Sequence, residues 1–141
     1  MMQTKRCNRL DDFLMKKMLN SEKNYFSDEE RYQAYRNFLR LTTKEGKRIA
    51  ATQTIKKWFG IGGIKRPNRE GLFKIGFDLR LSVKEMEELF VYVMREPDFQ
   101  INDYREMIFL YGFYHQMTYD DCIKMIDCFE KSLPGDLSIR Q

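Results

Sequence analysis

Proline is scarce in this chain, three residues in 141, so little interrupts continuous helix. Cys7, Cys122 and Cys128 are odd in number and form no CxxC pair, so neither a disulfide framework nor a zinc site has the right spacing. Reduced thiols are expected, and neither metal nor cofactor. The single histidine, His115, sits in an aromatic-rich stretch without partners for catalysis and is read as structural. No apolar run approaches the roughly 18 to 20 residues that span a bilayer, and the opening MMQTKRCNRLDDF lacks the apolar core of a secretory signal. A cytoplasmic protein away from the membrane is the expectation. Strand-like alternation is missing throughout.

What the chain has is core-forming material. Hydrophobic residues make up 43% and aromatics 14%, too rich for a disordered chain, so one domain is expected over 1–141. Its parts are N-terminal helices (1–50), a central core (51–96) and an appended helical unit (97–141). Leu10, Phe13, Leu14 and Met18 recur at helical spacing over 9–20, with Asp11, Asp12, Lys16 and Lys17 on the polar side. Ser27 with Glu30 is a capping box opening a helix whose buried stripe is Tyr32, Tyr35, Phe38 and Leu39. The segment 42–50, TTKEGKRIA, reads as a short helix or a loop, because Gly46 disfavours helix and Ile49 alone is clearly apolar. Thr52 is expected to cap a short helix with Ile55, Trp58 and Phe59 inward, ended by Gly60, Gly62 and Gly63. Trp58 is read as core.

Asn68 starts a helix over about 69–80, and Ser82 with Glu85 caps another to about 94, where Pro97 stops it. Asn102 or Asp103 caps the next, Thr118 with Asp121 the last, and Pro134 with Gly135 closes the domain. The fold class is therefore all-α: a compact bundle of seven or eight helices. Its expected core is Phe38, Ile55, Trp58, Leu72, Phe73, Leu79, Leu89, Ile108 and Phe109.

The chain also repeats itself. A shift of 36 aligns Arg69, Glu70, Phe73, Gly76 and Phe77 with Arg105, Glu106, Phe109, Gly112 and Phe113, and the match runs on through Ser82 to Thr118, Glu85 to Asp121 and Leu89 to Met125. Each copy reads as a helix, a tight turn and a capped second helix. A glycine inside a helix is costly unless a neighbour approaches its backbone, so close crossings are expected at Gly76 and Gly112.

Charge is uneven. Residues 36–80 hold twelve basic residues (Arg36, Arg40, Lys44, Lys47, Arg48, Lys56, Lys57, Lys65, Arg66, Arg69, Lys74, Arg80) against Glu45, Glu70 and Asp78, whereas 81–141 hold six basic and twelve acidic residues. A basic block of this kind suits a polyanion.

Within that block, residues 51–89 show a polar short helix from Thr52 to Phe59, Gly60, a basic turn with proline (Lys65, Arg66, Pro67), an apolar helix from Leu72 to Leu79, and a Leu81–Ser82 step into the next helix. This stretch resembles the second half of Cro and lambda-repressor-like (XRE-type) helix-turn-helix domains. The resemblance implies a recognition helix presenting Thr52, Gln53, Thr54 and Lys57 to base edges, with Lys56, Lys65, Arg66 and Arg69 along the phosphates. Gln can pair with adenine and Lys can reach guanine acceptors. The function it implies is a transcriptional or mobile-element regulator that binds duplex DNA with sequence preference, and the expected assembly states include a homodimer.

An enzyme is not expected. GIGG lacks the GK[ST] ending of a P-loop, and the neighbouring carboxylates Glu87–Glu88 and Asp120–Asp121 are explained by helix starts and solvation. The alternative is a protein-interaction or inhibitor module on the same scaffold, docking a partner through residues 90–120, where Tyr92, Phe99, Tyr104, Tyr111, Tyr114 and Tyr119 are the amphipathic anchors.

Overall fold

The computed structural model describes residues 9–133; Cys7 and the expected Pro134–Gly135 terminus lie outside that range. The described residues form seven α-helices and no strand: α1 (Leu10–Leu19), α2 (Asp28–Thr42), α3 (Thr52–Trp58), α4 (Arg69–Asp78), α5 (Val83–Glu87), α6 (Tyr104–Tyr114) and α7 (Tyr119–Ser132). A π-helical segment, Glu88–Val93, continues α5.

Local chemistry sets most helix starts. Ser27 with Glu30, Ser82 with Glu85 and Thr118 with Asp121 each form a reciprocal capping box, and Asn68 accepts from the Gly71 amide. Asp103, rather than Asn102, caps α6 by accepting from the amides of Arg105 and Glu106. Helix α3 corrects the reading of Thr52. Ala51 occupies the N-cap without a side-chain bond and Thr52 is the first helical residue, so burial of Ile55 and Trp58 holds this helix instead of a cap. The 42–50 segment is a loop: Lys44 and Lys47 exchange both backbone hydrogen bonds at 2.8 Å around Glu45 (φ 52°) and Gly46 (φ 77°).

Asp11, expected on the solvent side of α1, is buried between Arg9 and Arg31. Tyr32, expected inside, is 41% exposed, because the buried stripe of α2 runs through Ala34, Tyr35, Phe38 and Thr42. Of the expected core, Leu79 and Ile108 are partly buried and the other seven residues fully so.

The repeat is a spatial pseudo-twofold. Phe73 stacks on Phe109 (4.4 Å between centroids) and Phe77 on Phe113 (3.9 Å), so equivalent rings face each other across the axis. A Cβ on Gly76 would lie 2.3 Å from Met86 Sδ and 3.0 Å from Phe113, and one on Gly112 would lie 2.2 Å from Cys122 Sγ and 3.2 Å from Phe77. Each of those neighbours is the other's counterpart 36 residues on. The ion pairs cross in the same way, Arg69 with Glu106 and Arg105 with Glu70. Both units end their first helix alike: Leu81 donates to the Gly76 carbonyl and Met117 to that of Gly112, each at 2.9 Å, around left-handed Arg80 and Gln116.

Candidate nucleic-acid interface

Helix α3 is pinned by its aromatic side. Phe59 lies 6.4 Å from Tyr35 and 5.4 Å from Phe38, and Trp58 lies 6.0 Å from Phe38, all edge-to-face. The opposite side of the helix carries Gln53, Lys56 and Lys57, related by three- and four-residue steps. Gln53 is exposed, while Thr52, Thr54, Lys56 and Lys57 are half-buried. The Lys56 ammonium rests over the rings of Tyr32 (6.0 Å) and Tyr35 (5.7 Å), which fixes its position without cancelling its charge.

The loop after α3 is anchored at its base and open at its tip. Arg31 donates to the Phe59 carbonyl at 2.8 Å and to Asp11 at 3.2 Å, and Gly60 (φ 75°) lets that guanidinium pass, since a Cβ there would be 2.9 Å from it. Beyond Gly62 and Gly63, Ile64 and Lys65 are exposed. Lys65 has no ion pair among the described residues. Arg66 donates to the Met94 carbonyl and lies 3.7 Å from Glu96, but most of its side chain faces solvent.

Arg69 does not belong with them. Its guanidinium donates twice to Glu106 at 2.8 Å, to the Pro97 carbonyl at 2.7 Å and to the Asp98 carbonyl at 2.9 Å, and stacks 4.0 Å over the Phe90 ring. Burial opposes its charge, but Glu106 and then Glu96 outweigh that and hold the group firmly protonated. With these donors spent on the fold, Arg69 does not face outward as the resemblance implies.

The remaining eleven cations of residues 36–80 are exposed or half-buried, and among the described residues Arg66 alone of these has a carboxylate within ion-pair distance. Arg36 and Arg40 donate to the neutral Gln33 and Asn37 of their own helix. Lys44 and Lys74 act on Asp78, whose carboxyl burial nevertheless pushes above the usual range. Arg36, Arg40, Lys44, Lys47 and Arg48, outside the set that the resemblance implies, extend this unpaired basic surface. The charge count that included them was the available signal.

Among the described residues, no group of three or more His, Cys, Asp or Glu is arranged to hold a metal ion. No helix among them is long and apolar enough to cross a membrane. Comparison with known proteins finds no family model, no curated protein and no solved structure that matches this chain.

Proposed function

We propose that the protein is a small non-enzymatic regulator, transcriptional or belonging to a mobile element, that binds duplex DNA with sequence preference through residues 52–66. One observation carries this reading: ten of the eleven outward cations of residues 36–80 have no carboxylate within ion-pair distance among the described residues, so the basic surplus stays open to an external polyanion. Gln53 and Lys57, with Thr52 and Thr54 beside them, are the base-reading residues; Lys56, Lys65 and Arg66 position the backbone.

Gel-shift selection from a random duplex pool tests it. Lys65→Ala with Arg66→Ala should weaken all sequences alike and flatten the salt slope by up to about one unit per lost phosphate contact, while Gln53→Ala should relax preference at one base pair at a cost of about 1–3 kcal/mol. Undetectable duplex binding at low salt by the folded chain would sink the proposal. The second reading, an interaction module that leaves DNA untouched, draws support from the exposed apolar residues of α6 and α7, among them Tyr111, Tyr114 and Phe129.

A further inference from the structure

The two repeat units carry the same face, and among the described residues only one of them is covered. In the first unit Leu72, Ile75, Leu89 and Val93 are at most 4% exposed, because α2 packs along α4 and α1 along the π-helical segment. Their counterparts 36 residues on are Ile108, Tyr111, Met125 and Phe129. Tyr111 is 48% and Phe129 40% exposed, and these four, with Ile101, Tyr104 and Met107, line an open groove of about 490 Å³. No charged side chain among the described residues lines it. An exposed apolar cleft between two helices is the kind of surface an amphipathic helix fills.

The charge pattern of the covered unit specifies the occupant further. Lys17, near the end of α1, pairs with Glu85, the third residue of α5. The counterpart of Glu85 is Asp121, third residue of α7, which is exposed and has no ion pair among the described residues. A helix lying on α7 as α1 lies on the π-helical continuation of α5 would bring a cation to it.

We infer that the α6–α7 groove is a docking site for an amphipathic helix of a partner protein, built like α1: apolar residues at the spacing of Leu10, Phe13, Leu14 and Met18, and a lysine or arginine placed like Lys17 to meet Asp121. The site uses none of the residues assigned to DNA, so it stands or falls separately from that proposal.

The probe is a fluorescein-labelled peptide of residues 9–20, stapled across positions 12 and 16 to hold it helical, titrated with the full chain and followed by polarisation. Saturable binding is expected. Tyr111→Asp and Phe129→Asp, both at solvent-facing positions, should each weaken it by at least about tenfold. Asp121→Asn, which keeps an oxygen to accept from the Thr118 amide, should weaken it about two- to fivefold at low salt and less at high salt. Circular dichroism checks that each variant stays folded, and Met107→Glu replaces any that does not. Absence of saturable binding overturns the inference. So does binding that none of these substitutions weakens, since the peptide would then be displacing α1 from the first unit. A chain that sediments as a dimer and becomes monomeric on Phe129→Asp would assign the groove to a second copy instead, which also overturns it.

Discussion

The α4–α5 and α6–α7 units are built alike around one axis, yet they have different neighbours. Both have a helix-interior glycine, a capping box and a facing pair of phenylalanines. The first is roofed by α1 and α2, and its second helix widens into a π turn, with Met94 donating to the Leu89 carbonyl and Glu96 to that of Phe90. Among the described residues nothing roofs the second, and α7 runs regularly to Ser132. The lesson is that the repeated residues fix the inner contacts of a unit, whereas what lies outside it decides whether its outer face is core or surface.

The widest gap between the units is expected at that outer face. Leu89→Ala should cost about 2–5 kcal/mol, because the cavity forms under a roof that cannot collapse fully, and the equivalent Met125→Ala about 1 kcal/mol or less, because its site already opens to water. Chemical denaturation of both variants checks this; equal losses would mean that the groove is closed in solution. The crossed ion pairs come next. Arg69→Ala should cost about 2–4 kcal/mol, since it leaves the Glu106 carboxylate and two carbonyls without their donor in a mostly buried position. Arg105→Ala should cost under about 1 kcal/mol, its contact with Glu70 being 3.5 Å long and open to solvent on both sides.

The two glycines also differ in what surrounds them. Gly112→Ala should destabilise by about 1–3 kcal/mol, because Cys122 Sγ stands one bond from its own Cβ and has little room to retreat. Gly76→Ala should cost less, about 1 kcal/mol or under, because the Met86 thioether can swing aside and alanine favours the helix. Thermal melts decide, and Cys122→Ala should restore most of what Gly112→Ala loses. The smallest effect concerns Asp78 at the end of α4, where burial raises the carboxyl above its usual range against the pull of Lys44 and Lys74. The folded state then holds its proton more tightly than the unfolded one, so Asp78 weakens the fold as pH rises out of the acid range. Asp78→Asn should therefore stabilise at pH 7 by up to about 0.5 kcal/mol after solvent screening, and the gain should vanish below the ordinary aspartate range, near pH 3. Melting curves across pH test the sign.

Features that depend on neighbouring residues were legible in the sequence. The capping boxes at Ser27, Ser82 and Thr118 are written within four residues, and the pairing of Gly76 with Gly112 emerged because caps, rings and glycines kept one spacing. Features set by distant partners were not. Asp11 is buried because Arg31, twenty residues on, meets it; Arg69 turns inward because Glu106 and the 97–98 carbonyls wait there. The repeat did contain a sign of this second case, since Arg69–Glu70 recurs as Arg105–Glu106 and such pairs can cross. Nothing in the pattern of residues 88–93 foretold the π turn. For the candidate interface, the charge and the outward face of α3 were readable, and so was the choice at 42–50 between a short helix and a loop, which only the structure decides, in favour of a loop.

Trp58 gives the molecule an optical property. It is the one tryptophan in the chain, 3% exposed, and its indole Nε1 has no hydrogen-bond partner among the described residues. An indole so placed emits at the blue end of its range and shifts to longer wavelength when water or a polar group reaches the nitrogen. Because the ring closes the inner side of α3, intrinsic fluorescence excited at the red edge of the absorption band reports selectively on that helix. A ligand that tilts or loosens α3 would be seen without any label, while one that settles on α6 and α7 would leave the signal dark to its arrival.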